Sequence, residues 1–293
     1  MAVTTNTTTT AQISVQAKEI DFVSRFETNW QALIDILGIM NPVRKTPGTM
    51  LSAGTATVTL QSGEVAEGDE VPLSQATVTP KVYKEITLKK YRKRVTAEAV
   101  SKFGAAIASQ KTDDAFLSEL TEQVLDSFYT FIQTGTTSGS YANFQMAVSM
   151  AIANVKDKFK KLHLSHDNIV VFVNTLDVGK YLAAGEITVQ TRNGIEYFKD
   201  YLGASTVIVS SDIPEGTVIA TPASNIVLYY IDPADGDFKE IGLDYTTGAT
   251  ATNLIGVHKE GVYGRASGDT HAVLGMELFA EYIDGIAIST ITA

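Results

Sequence analysis

The side chains able to do chemistry fall into a few short clusters. The first is acidic: Glu64, Glu67, Asp69 and Glu70 surround Gly63 and Gly68 in SGEVAEGDEVPLS. Paired carboxylates serve as general acid and base when their surroundings separate their pKa values, and clustered ones hold Ca²⁺ or Mg²⁺. This run lacks the alternating Asp/Asn ligands of a calcium loop, and its glycines mark a turn in water. The second cluster is basic: Lys89, Lys90, Arg92, Lys93 and Arg94, with one aromatic, Tyr91, among them. The formal net charge of the chain is −10, which disfavours a surface that binds nucleic acid by neutralising phosphates. Two readings of both clusters stay open: solvated faces, or complementary charges across a contact between subunits. Exposed ion pairs contribute about 0–1 kcal/mol each, so such charges would set register and partner choice.

The remaining chemical signals are weaker. His163 and His166 have the HxxH spacing but no third ligand nearby, and read as a polar loop rather than a zinc site. In Gly264-Arg-Ala-Ser-Gly268 the serine stands one position away from its place in a nucleophile elbow. His258 and His271 have no recognisable triad partners. The chain has no cysteine, which removes disulfides, thiolate catalysis and cysteine metal sites and fits a reducing cytoplasm. The expectation is a protein that is not an enzyme and needs no cofactor or metal.

The elements that carry these clusters follow from periodicity. At 293 residues, 44% apolar and 19% charged, the chain is long enough for one large or two ordinary domains. MAVTTNTTTTAQ has neither the basic nor the apolar part of a signal peptide, and no apolar run approaches the ~20 residues that span a bilayer. After this Thr-rich arm, Val23, Phe26, Trp30, Leu33 and Leu37 form one stripe of a helix over about Ala17–Leu37. That helix packs either on its own core or on a neighbouring subunit. Ala56, Val58 and Leu60 alternate with threonines, which predicts a half-buried strand. KVYKEITLKKYRKR is its return strand, so residues 47–94 read as one long hairpin with an acidic tip and a basic base. A short helix from Thr96 is expected to end before a break at Ser109–Thr112. Thr112 or Asp113 then caps a long helix reaching about Gln133, with Leu117, Leu120, Val124 and Phe128 on its apolar face. Thr134–Ser140 reads as a loop, and Tyr141–Leu162 as an amphipathic helix.

Asn168–Asp232 is architecture without chemistry. Ile169–Val173 is a run of branched and aromatic residues, the mark of a strand buried on both faces. A helix at Val178–Ala184 follows, then a hairpin turn at Asn193-Gly194. Strands at Thr206–Val209 and Thr217–Ala220 flank the turn DIPEG, and Ile226–Ile231 is a further strand. Gly-rich turns and strands fill the C-terminal part.

The ordered set of these pieces resembles the major capsid proteins of tailed bacteriophages with the Hong Kong 97-like fold. Four pieces carry the resemblance: GEVAEGDEVPLS with its basic return strand; VTAEAV leading into a long helix that ends FIQTGTT; VVFVNTLDVGKYL followed by LGASTVIVSSDIPEGTVIA; and the terminal FAEYIDGIAISTI. The resemblance implies an α+β fold with an N-terminal arm at 1–45 and an extended β-hairpin loop at 46–92. It implies a peripheral domain with a long spine helix at 93–140 and 239–293. An axial domain with a central mixed sheet would occupy 141–238.

It also implies self-assembly into hexamers and pentamers of an icosahedral head around double-stranded DNA, held without sequence-specific binding. The implied location is the virion, assembled in the bacterial cytoplasm. Implied partners are the chain itself, a portal and a possible decoration protein. No long charged helical N-terminal segment is present, so scaffolding is expected from a separate protein. The tip acids would meet basic residues of the next subunit, possibly Lys89–Arg94, while Phe26 and Trp30 dock the arm. Reversing Lys93 and Arg94 to Glu is then expected to block assembly but spare the monomer. An encapsulin-like compartment shell is the alternative on the same fold, and a secreted β-rich adhesin a second.

Overall fold

The strand over Ile169–Asn174 is buried along its whole length, and two helices cover its two sides. The computed structural model describes residues 42–104, 106–183, 189–192, 195–247 and 253–292. The predicted arm helix with Phe26 and Trp30, and the Asn193-Gly194 turn, lie outside them. In chain order the strands are β1 (Val43–Arg44), β2 (Met50–Thr59), β3 (Gln75–Glu85), β4 (Lys89–Thr96), β5 (Thr136–Tyr141), β6 (Ile169–Asn174), β7 (Gln190–Arg192) and β8 (Ile195–Tyr201). They continue as β9 (Ala204–Ser210), β10 (Thr217–Pro222), β11 (Ile226–Tyr230), β12 (Ile255–Val262), β13 (Ser267–Leu274), β14 (Met276–Ala280) and β15 (Ala287–Ile291). The helices are α1 (Ala97–Phe103), α2 (Thr112–Ile132), α3 (Phe144–Lys161), α4 (Thr175–Leu182) and α5 (Gly236–Glu240).

The central sheet has seven strands in the order β5-β15-β10-β6-β9-β8-β7. It is mixed: β5/β15 and β6/β9 pair parallel, and the other neighbours antiparallel. Strand alternation sends Ile169, Val171 and Val173 into the core under α3, where Phe144, Ile152, Val155 and Phe159 lie. It sends Val170 and Phe172 to the other side, under α2. There the Phe172 ring meets those of Phe128 and Tyr129 edge-on, at 5.6 and 6.1 Å between centroids. Burial pushes the Tyr129 hydroxyl up to about 12. Asn174 closes β6 and caps α4: its Oδ1 accepts from Leu176 N at 2.6 Å, and its Nδ2 donates to Ile213 O at 2.5 Å. The DIPEG turn is thereby tied to the strand end.

Close packing sets one strict requirement. Gly285 sits against the ring of Phe159, and a Cβ added there would overlap it. Gly285→Ala will therefore overpack the α3 face, costing about 1–3 kcal/mol. A urea titration should give a lower midpoint with an unchanged m-value.

Several expectations are corrected. The return strand is not continuous. β3 ends at Glu85, Ile86 drops into a core with Leu51, Tyr229, Ile231 and Phe279, and β4 joins a different sheet, β12-β13-β4. The Ser109–Thr112 break is a π-helical turn, Ala106–Lys111, leading straight into α2. Neither Thr112 nor Asp113 caps α2: the N-cap is Lys111, without a side-chain bond. Thr112 Oγ1 instead donates back to Ala108 O and Ser109 O. Thr136–Tyr141 is a strand and not a loop, because β15 offers it a parallel partner. Accordingly α3 begins at Phe144, capped by Asn143 Oδ1 accepting from Met146 N.

A charged sheet and an exposed hairpin form the candidate intersubunit surface

The hairpin β2-β3 is paired from Met50↔Glu85 to Thr59↔Gln75, with a register shift at Leu51/Ser52. About ten residues per arm at ~3.3 Å each put the tip roughly 30 Å from the base. The base is fixed: Leu51 and Ile86 are buried, Gly48 N donates to Ile86 O, and Ile86 N donates to Thr49 O. The distal half is uncovered. Val58 is 57% exposed, Leu60 78%, Val71 62% and Leu73 93%. The half-buried strand inferred from alternation is therefore exposed at Val58 and Leu60 in the single chain. Glu64, Glu67, Asp69 and Glu70 are all exposed at the tip.

The basic run is split by alternation along β4. Tyr91 and Lys93 face α2. Tyr91 donates to Gln123 at 2.5 Å, and Lys93 pairs with Asp113 in the first turn of α2. Asp113 also takes Lys259 at 3.1 Å from β12, so one buried carboxylate joins two lysines whose side chains are 14% and 13% exposed. Desolvation pushes the Asp113 carboxyl up, but Lys93 and Lys259 more than offset it and hold it below the usual range. On the opposite face, Arg92 and Arg94 both donate to the buried Asp269 of β13. These contacts hold the Asp269 carboxyl well below the usual range against its desolvation. Lys90 is exposed on this outer face, while Lys89 is half-buried on the inner one.

Two consequences follow for the expected sites. First, Lys93 and Arg94 have partners within the chain. Lys93→Glu would face Asp113 with a second carboxylate, so the double reversal cannot spare the monomer, contrary to the sequence-based expectation. Second, sequence reasoning missed Asp113, Lys259 and Asp269 as the partners of the basic run. Only alternation along β4 signalled that its charges must divide between two faces.

The histidines are brought into two different settings. His163 has a positive φ of 56° at the end of α3. Its N–H donates to Lys160 O, and Leu164 N donates to Phe159 O. That pair of bonds is a Schellman stop, so the HxxH spacing marks a helix end. His258 and His271 are cross-strand partners in β12 and β13. Among the described residues, Glu260, Asp269 and His271 place ligand atoms within 4.8 Å of one another. Two guanidiniums already occupy Asp269, and this compensates its charge without a metal. Ser267 of the near-elbow motif is a strand residue in the middle of its sheet, opposite Val262 on one side and Thr96 on the other.

No protein-family model matches the chain, and no curated protein matches its sequence. Solved structures do match its fold. The capsid of cyanophage P-SCSP1u aligns with a TM-score of 0.53 at 11% identity, over 88% of each chain. The mature capsid of bacteriophage PhiM1 gives 0.52 at 9% identity, over 86% of each chain. The holo-SrpI encapsulin complex from Synechococcus elongatus gives 0.50 at 10% identity, over 89% of this chain and 86% of that one. Among the described residues no helix is long and apolar enough to cross a membrane. With its mixed sheet between α2 and α3 and its extended hairpin, the chain has the Hong Kong 97-like capsid fold.

Proposed function

We propose that this chain is the major capsid protein of a tailed bacteriophage and builds an icosahedral head of hexamers and pentamers around double-stranded DNA. The observation that carries the reading is the hairpin: two anchored residues at its base, and large apolar side chains exposed along its distal half. A monomer gains nothing from displaying Leu60 and Leu73 to water, whereas a contact between subunits gains their burial. The fold is shared with phage capsids and with an encapsulin, so the chemistry asked of the chain is assembly rather than catalysis.

In this reading the arm, residues 1–45, and the loop, 46–92, reach neighbouring subunits. The peripheral domain is 93–140 with 239–293, and the axial domain is 141–238. Phe26 and Trp30 dock the arm, and the tip acids meet cations of the next subunit. Lys90 and Arg92 are the members of the basic run best placed for this, being exposed on the outer face of β4. A portal, a separate scaffolding protein and, in some heads, a decoration protein would complete the particle. The acidic balance of the chain suits DNA that is confined rather than gripped.

Size exclusion and negative-stain microscopy of the expressed chain test the proposal. Closed shells or capsomer-sized rings are expected, with nucleic acid packaged in the infected cell. Particles filled with a cargo enzyme instead of a genome would assign the chain to an encapsulin-like compartment. A strict monomer at high concentration would overturn both.

A further inference from the structure

The outer face of the β12-β13 pair gathers two imidazoles and a carboxylate in one place. Alternation puts His258 and Glu260 of β12 and His271 of β13 on this face, and the register sets His258 directly opposite His271. Opposite side chains start about 4.5–5.5 Å apart at Cβ, and residues two apart on one strand about 6.6 Å. Long side chains also reach the diagonal neighbour, and His271 Nε2 lies 3.2 Å from Glu260 Oε1. The three residues therefore form a compact triangle, exposed at His258 and Glu260 and half-buried at His271. The assembly reading gives this triangle no role. Among the described residues, Glu260 has no ion pair other than that with His271.

We infer that His258, Glu260 and His271 bind a divalent transition-metal ion of the zinc class. Bonds from zinc to imidazole nitrogen and carboxylate oxygen are about 2.0–2.2 Å, so neighbouring ligand atoms of a tetrahedral site stand roughly 3.3–3.6 Å apart. His271 Nε2 and Glu260 Oε1 already hold nearly that separation. A hydrogen bond accounts for the same distance, but not for a second imidazole facing the first across the strands. His258 is exposed, so its ring is free to turn toward the other two. Two imidazoles with one carboxylate suit zinc, copper or nickel, whereas calcium and magnesium take oxygen ligands. The neighbouring cations do not compete for Glu260, because Arg92 and Arg94 both donate to Asp269. Asp269 lies within 4.8 Å of the Glu260 and His271 ligand atoms; its part is to offset those guanidiniums rather than to ligate. Three protein ligands leave a fourth position for water or for a donor from another molecule. Such binding departs from the expectation of a chain without a metal, and it stands whether or not the chain builds a shell.

The test titrates the full-length chain with zinc chloride by calorimetry, with magnesium and calcium chloride as comparisons. One zinc ion per chain is expected to bind, with no heat from the other two salts. H258Q, E260Q and H271Q should each weaken zinc binding by about tenfold or more, since changing even an outer partner of a metal site costs about 10–100-fold. H163Q/H166Q removes the other two imidazoles of the chain and should leave the affinity unchanged. Without zinc, every variant should melt where the natural chain does; with zinc, the melt should rise in the natural chain and in H163Q/H166Q but not in H258Q/H271Q. Cobalt(II) in place of zinc reads the ligands directly: the natural chain should give the visible bands of a four-coordinate ion, and H258Q/H271Q should not. Absence of zinc binding, natural affinity in H258Q/H271Q, a loss in H163Q/H166Q, or equal uptake of magnesium or calcium each overturns the inference.

Discussion

Asp113→Ala will destabilise the folded chain by about 3–5 kcal/mol, the usual cost of breaking a buried charge cluster from one side. The carboxylate holds Lys93 and Lys259 together across β13, and both lysines are nearly buried. Without it, two ammonium groups remain in a low-dielectric site, with Thr112 Oγ1 at 2.9 Å from Lys93 Nζ and Ser109 O at 3.5 Å as poor compensation. Asp113→Asn keeps the shape but not the charge, and should fall between the two. The pH dependence has a definite sign. The folded-state carboxyl titrates below its unfolded value, near 3.9, because the two lysines outweigh desolvation. Its contribution is complete above that unfolded value and is lost as the pH falls through the lower, folded one. Urea midpoints at about pH 7 and about pH 3 should therefore differ less in Asp113→Asn than in the natural chain. Equal acid sensitivity in the two proteins would show that Asp113 is not a source of this loss.

The same cluster marks where sequence reading stops. β6 was legible because IVVFV is apolar on both faces, and α2 because Leu117, Leu120, Val124 and Phe128 hold one helical stripe. Each of those signals is local. Lys93 meets Lys259's carboxylate partner only after β13 has been inserted between β4 and β12, and Arg92 finds Asp269 across 177 residues. The basic run looked like a single charged face since nothing in KKYRKR says which neighbour its strand will take. The division at Ile86 was hidden for a related reason. Val82, Ile86 and Leu88 keep the spacing of one strand, yet Ile86 is claimed by a core with Leu51, Tyr229 and Phe279. β5 was missed because Thr136–Tyr141 has the small polar residues of a loop, and becomes a strand only when β15 returns beside it. The π-helical turn before α2 has no simple sequence mark at all. The fold was legible through the family resemblance, whereas the surfaces that would meet a partner were not, because a sequence shows surfaces poorly.

The exposed half of the hairpin yields the second large effect. Replacing Val58, Leu60, Val71 and Leu73 together by serine should leave the isolated chain as stable as before, within about 0.5 kcal/mol, because exposed side chains away from special features carry little of the fold. Their exposures run from 57% to 93%, and the base at Leu51 and Ile86 is untouched. Assembly should respond very differently. Fully burying a Val or Leu side chain contributes about 1.5–3 kcal/mol, so Leu60 and Leu73 alone would account for about 3–6 kcal/mol at each contact, a factor of roughly 10²–10⁴ in association. A closed shell repeats that contact in every subunit, so the loss falls on all of them at once. If the proposed shell function holds, the serine variant is expected to elute as monomers or small rings under conditions that assemble the natural chain, with an unchanged thermal melt. Full particle yield from this variant would remove the hairpin from the assembly contact. A collapsed melt would instead mean that the hairpin folds back onto its own chain.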